Sequence, residues 1–303
     1  VGLHAGNAGG NPSVVRVSSV GGGRMSTILV FLMVVAGTLV LSYPSAAAWF
    51  AQYYQSEIIA NGVPAPDATS VKQQVEELAR AENYNGRLAS GADYKANSNI
   101  PTSSVGSDMH DVYEQTLNAG SGLMARIQIP AISLDLPVYH GTSDDTLLKG
   151  IGHLEGTSLP VGGKGTHAVL TGHRGLAQAT MFTNLNRLHD GDTFTISSYG
   201  RIMTYKVVRT QVVNPDETKS LAAIPGKDLV TLVTCTPLGI NSQRIFVTGE
   251  RVFPTPESAV KDAKSTPSIP GYPWWFVVDV SVVGMAVIWL IRSLNSAPPA
   301  HHR

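Results

Sequence analysis

Cysteine occurs once among the 303 residues, at Cys235. It closes an apolar, β-branched run, Leu229 to Thr234, and Thr236, Pro237 and Gly239 break the chain behind it. A second strand-like run, Ile245 to Arg251, follows, and Arg244 opens it nine residues after the thiol. The pattern puts a thiol at the tip of one strand and a guanidinium at the start of the next, with a short loop to bring them face to face. A thiol attacks only as thiolate, a form that a neighbouring cation favours. The segment LTGHRG supplies His173, at the end of another strand-like run, as the imidazole of a nucleophilic site. Singly, each residue has a plainer reading: a buried thiol, a solvated loop histidine, a surface charge. Only the combination points to chemistry.

Other chemistries fit less well. One cysteine excludes an intramolecular disulfide and any multi-cysteine metal site. His140, His153, His167, His173 and His189 are scattered without the HExxH spacing of a zinc hydrolase. Papain-like peptidases place Cys before His, whereas here His173 comes first and Arg244 last. Gly162, Gly163 and Gly165 lack the Walker spacing and its Lys-Ser/Thr pair, so they read as a tight turn into the strand that ends at His173. With 22 basic and 22 acidic residues the net charge is zero, which gives no reason to expect a nucleic-acid partner.

The elements that must position these residues are short β-type runs from Leu123 onward. They are Ala125 to Ile129, Leu136 to Tyr139, His167 to Thr171, Asp192 to Ser197, Ile202 to Val213, Leu229 to Thr234 and Ile245 to Arg251. Turn residues such as Tyr199-Gly200 separate them, and Thr180 to Leu188 is the one helix expected among them. Many short strands with few helices argue for a mainly β, closed or sandwich-like domain.

TLVTC with Arg244 behind it, the TGH that ends at His173, and IPAISLDLPVYHGTSDDTLLKGIGHLEGTSLPVGG together resemble class C sortases, over residues 112 to 252. These are the pilin polymerases of Gram-positive bacteria. The resemblance implies a sortase-like eight-stranded β-barrel with an N-terminal helical extension and two flanking transmembrane helices. It implies Cys235 as nucleophile, His173 as general acid and then base, and Arg244 as the group that steers substrate or stabilises the oxyanion. The implied reaction cleaves an LPxTG-type sorting signal between Thr and Gly through a thioacyl-enzyme, then passes the acyl group to a pilin lysine. No metal or organic cofactor is implied, and His140 and His153 read as structural. Class C enzymes usually carry an Asp-Pro-aromatic lid, and no such triplet occurs in residues 87 to 111. Asp93 and Tyr94 keep an acid and a ring and are the favoured lid pair; Asp108-Met109-His110 keeps the spacing with an imidazole. Two other functions stay open: a housekeeping-type sortase that anchors proteins to the cell wall, and a non-catalytic pilus-base scaffold.

The flanks read as membrane segments. No charged residue occurs from Ser26 to Ser56, and Ile28 to Phe50 is dense in Val, Leu, Ile and Ala. About 20 apolar residues cross a bilayer as a helix. The small residues Ser45 to Ala48 keep a cleaved signal peptide open, and Met25 is an alternative start. Trp49, Phe50, Tyr53 and Tyr54 suit an interface belt, as do Trp274, Trp275 and Trp289 around the second apolar stretch. Arg16 and Arg24 before the first segment, and Arg292 and Arg303 after the second, put both termini in the cytoplasm and the domain between them outside. The expected organisation is a tail 1–27, an anchor 28–50, a helical extension with a possible lid 51–111, the catalytic barrel 112–253, an extended linker 254–273, a second span 274–291 and a tail 292–303.

Overall fold

The computed structural model describes residues 20–62, 71–88, 107–267 and 269–296. The expected tail over residues 1–19 and the lid pair Asp93 and Tyr94 lie outside the described residues. Two compact units divide the chain, one comprising residues up to Tyr43 together with those from Trp274 onward, the other Pro44–Pro273.

The first unit holds most of helix α1 (Val20–Gly62) and helix α6 (Trp274–Asn295). Both helices are long and apolar enough to cross a membrane, and their apolar stretches are not buried within the protein. Helix α1 begins at Val20, inside the expected tail, and runs through Pro44 without a break.

The second unit is built on a closed barrel of eight strands. They are β1 (Leu123–Ile129), β2 (Leu134–His140), β3 (Ile151–His153), β4 (Thr166–Thr171), β5 (Thr193–Ser198), β6 (Arg201–Val213), β7 (Asp228–Thr236) and β8 (Gln243–Arg251). Around the barrel the order is β1-β2-β3-β4-β7-β8-β6-β5, with β5 closing onto β1. Neighbours are antiparallel except β2/β3 and β4/β7. Parallel strands need a crossover; β4 reaches β7 only after the chain has built the β5–β6 hairpin. That hairpin turns at Tyr199 and Gly200, with φ of 43° and 78°, the pair of positive angles that matches the twist of the flanking strands.

Along β7 the side chains alternate between two apolar environments. Val230 and Leu232 face the main core with Ile127, Leu170, Phe194 and Val247. Val233 joins Val169, Phe246 and Leu221 in a second cluster on the other face. This double burial explains the nearly continuous apolar run in the sequence. It ends at Cys235 and Thr236, which are half-buried.

Helices α2 (Val71–Leu88) and α3 (Ser107–Gln115) close one side of the barrel. Ala81, Tyr84, Met109 and Tyr113 enter the core, and Asn85 exchanges two hydrogen bonds with the Leu159 backbone. Within the second lid candidate, Met109 is therefore core, and His110 pairs with Glu155 at 2.8 Å.

Three features differ from the sequence reading. Thr180 to Leu188 is not an α-helix but turns with one 3-10 turn, Leu185–Arg187. Its apolar residues are spaced for a buried helical face, yet Met181 takes a left-handed φ of 38° and the Phe182 N–H is spent on His173. The three-residue β3 and the short helix α4 (Asp144–Lys149), capped by Ser143, are too brief to show a periodicity. Residues 254–273 are not wholly extended: Glu257–Lys264 form helix α5, whose end is held by Arg126 through the carbonyls of Ala263 and Ser265, each 3.1 Å away.

Candidate active site

Cys235 and Arg244 are direct partners across the antiparallel β7–β8 pair. Facing residues of such a pair project from the same side of the sheet. That side is the one bearing Val233 and Phe246, so both residues stand at the end of the second apolar cluster, where its cover runs out. On the other flank β4 runs parallel to β7, with Thr171 beside Val233. Beyond the last paired residue of β4 the chain passes through Gly172, which bonds to the Val233 and Thr234 residues of β7, and reaches His173. Strands β7 and β8 thus carry Cys235 and Arg244 to one rim of the barrel, and β4, which ends at Thr171 beside β7, leads through Gly172 to His173.

The backbone around His173 is pinned on both sides. The Gly172 N–H donates to Val233 O at 3.0 Å, and the Gly172 carbonyl accepts from Thr234 Oγ1 at 2.7 Å. The His173 carbonyl accepts from the Phe182 N–H at 3.0 Å. Gly172 has no room for a side chain: a Cβ there would meet Ile151 Cδ1 at 2.7 Å and the Phe182 ring at 2.8 Å. Arg174 donates to Thr236 Oγ1 at 2.9 Å and to Thr183 O at 3.3 Å, tying the segment after the histidine to the end of β7. Sequence reasoning missed Gly172, Arg174 and Thr234 as parts of this frame. Their signal was adjacency to His173 and Cys235.

The side chains themselves are left open for chemistry. Arg244 Nη1 reaches only the carbonyls of Asn241 and Gln243, at 2.9 and 3.0 Å, and no carboxylate pairs with it among the described residues. Beside it an open groove is lined by Val212, Asn214, Asp216, Glu217 and Gln243.

The other histidines of the barrel have the opposite character. His153 is fully buried; its Nε2 lies 2.9 Å from Ser158 O and its Nδ1 3.1 Å from Tyr113 Oη. Burial pushes its pKa down to about 3. His167 is also pushed down by burial, and it bridges Ala222 O and Thr231 Oγ1. His140 is buried and lies between Gly122 O and Thr116 O, both at 2.9 Å. His140 and His153 are structural, as the sequence suggested.

A small closed barrel whose rim presents a single thiol has counterparts among known proteins. A family model described as Sortase domain matches residues 127–252. Sortase D of Bacillus subtilis (strain 168) is 34% identical over 130 residues, covering 42% of this chain and 62% of that protein. Sortase A of Bacillus anthracis is 32% identical, covering 43% and 60%. The chain thus spans about three fifths of the length of these curated relatives. Among solved structures, sortase C-1 from Actinomyces oris is 50% identical with a TM-score of 0.55, covering 59% of this chain and 98% of that one. Sortase C1 from Streptococcus agalactiae is 38% identical with a TM-score of 0.58, covering 63% and 95%. The chain belongs to the sortase family, and its solved neighbours, predominantly sortase C enzymes, place it in class C.

Proposed function

We propose that the protein is a membrane-tethered cysteine transpeptidase that joins pilin subunits. The observation that carries this reading is the register of Cys235 opposite Arg244, with Gly172, the residue before His173, bonded to Val233 on the other flank. Cys235 Sγ attacks the threonine carbonyl carbon of an LPxTG-type signal, forming a C–S bond and a tetrahedral oxyanion. Arg244 stabilises that oxyanion, the point at which a fixed cation acts most strongly. As the Thr–Gly C–N bond breaks, His173 protonates the leaving glycine amine. A pilin lysine amine then attacks the thioacyl carbon, His173 takes its proton, and the C–S bond breaks to leave an isopeptide. No cofactor enters either step.

The groove beside Arg244 supports an extended peptide lying along the start of β8. The two apolar helices, with Arg16 before α1, Arg24 near its start and Arg292 in the last turn of α6, support an extracellular barrel between two spans and cytoplasmic termini. A second reading, anchoring of proteins to the cell wall, shares the same thioacyl step. The acceptor amine separates the two readings.

The test is intact mass of the full chain in detergent after incubation with an LPxTG-type peptide. An adduct equal to the acyl fragment is expected on the wild type and absent from Cys235→Ala. No adduct on either protein, with the fold intact, would sink the transpeptidase reading for this peptide class. Adding a pilin-derived lysine peptide or a cell-wall amine then identifies the acceptor by the mass of the product.

A further inference from the structure

The part of α1 beyond Pro44 belongs to the same compact unit as the barrel and docks against it. Gln55, Ser56 and Ile59 form its buried face, at 6%, 6% and 4% exposure. A polar amide so deeply buried needs hydrogen-bond partners. Gln55 Nε2 lies 3.1 Å from the Lys149 carbonyl and 3.6 Å from Met181 Sδ. It therefore touches two chain segments far apart in sequence.

Those two segments lead directly to the histidine. Lys149 stands two residues before Ile151, and Met181 stands one residue before Phe182. Ile151 and the Phe182 ring are the two walls between which Gly172 is held with no space for a Cβ. Phe182 also donates its N–H to the His173 carbonyl. Met181 sits at a positive φ of 38°, a strained conformation for a residue with a side chain, and such strain persists only where the surroundings over-determine it. The Gln55 amide is one of those constraints. A small cavity lined by Ala48, Gln52 and Gln55 on α1 and by Thr180, Met181 and Asn184 shows that the helix and the segment after His173 share one boundary.

We infer that Gln55 is a positioning residue for His173: its amide links the Lys149 and Met181 segments that clamp Gly172, so the helix emerging from the membrane segment is part of the catalytic frame. The inference rests on the reading of His173 as the acid–base partner of Cys235. It predicts that loss of the amide displaces the imidazole without removing any group that touches substrate.

Cys235 is the only cysteine, so its alkylation by iodoacetamide can be followed by intact mass across pH without ambiguity. The full chain in detergent is compared with His173→Ala, Gln55→Met, Gln55→Ala and Ile59→Ala. Gln55→Met keeps side-chain length and removes the donor; Ile59→Ala loosens the same buried helix face one turn further on and leaves the Gln55 amide in place. The expected result is an alkylation profile for Gln55→Met and Gln55→Ala that moves from the wild-type curve toward that of His173→Ala, with Ile59→Ala left on the wild-type curve. Peptide turnover should fall about tenfold in kcat with KM within about twofold, the scale of one lost buried hydrogen bond. Gln55 profiles that superimpose on wild type, or that Ile59→Ala reproduces, reduce Gln55 to a purely structural role and overturn the proposal. If wild type and His173→Ala coincide, the reading of His173 fails and takes the proposal with it. The two failures are thus distinct.

Discussion

The two ends of the β7–β8 pair each set an arginine against an ionisable partner and hold it differently. At one end Arg244 faces Cys235. At the other, the register that sets Leu229 against Glu250 brings Asp228 beside Arg251. Asp228 accepts from the Gly163 N–H at 2.9 Å and from Tyr205 Oη at 3.1 Å, and Arg251 Nε lies 3.9 Å from it. Arg251 in turn donates to Thr204 O and Thr255 Oγ1 and lies over the Tyr205 and Phe253 rings. Burial pushes the Asp228 carboxyl above its ordinary range and the Arg251 guanidinium below its own, against the pull of their mutual attraction. Both charged groups there are engaged within the fold. At the Cys235 end the cation holds only carbonyls of its own loop, and the thiol stands where the apolar cover stops. An arginine opposite an ionisable partner is therefore structural where its donors are consumed, and available for chemistry where they are not.

Exchanging the two arginines for alanine tests this contrast most directly. Arg244→Ala should reduce kcat by about 10²–10³, the scale of removing one oxyanion donor, and leave the thermal midpoint nearly unchanged. Arg251→Ala should do the reverse. It leaves a buried Asp228 without its cation and should cost about 3 kcal/mol in chemical denaturation, with kcat per folded molecule preserved. Equal losses of stability in both variants would erase the distinction between the two ends.

The buried histidines sharpen the comparison through pH. His153 stays neutral in the folded protein down to about pH 3, whereas the unfolded chain takes up that proton below about 6.5. Acid thus favours unfolding across that window. Stability should fall by about 1.4 kcal/mol per pH unit for His153 once well below 6.5, with His167 adding in the same direction. Urea midpoints measured at pH 7, 6 and 5 check the slope, and His153→Gln should flatten it if it folds. The smallest effect belongs to the exposed Lys227–Glu250 pair, 2.8 Å apart on the Asp228 side. Lys227→Ala should change stability by less than about 1 kcal/mol, which a denaturant titration can bound.

Much of the site was legible in the chain because strand tips are written locally. The apolar run before Cys235 reports a strand covered on both faces, and its abrupt end marks where that cover stops. Alternation then sets Cys235 and Arg244 on one side once a short loop joins the strands. The two apolar helices were equally plain, since composition over some 20 residues is all a bilayer requires. The misreadings fell where local pattern and tertiary demand diverge. Met181, Phe182, Leu185 and Leu188 are spaced as a helix would space them, but the Phe182 N–H is drawn away to the His173 carbonyl.

What the sequence by itself determined is the set of reactive types and the strand ends that bear them, because side-chain alternation and chain-breaking residues act over a few positions. Only the tertiary structure decided that β4 lies beside β7 across the whole β5–β6 excursion, which puts Gly172, the residue before His173, against the strand that ends in Cys235 and Thr236. It also decided that Gln55, 118 positions before His173 in the chain, would meet the two segments that clamp Gly172. The reason is that long-range pairing is selected by burial of whole faces and by closure of the barrel, quantities that belong to the assembled chain and to no single segment of it.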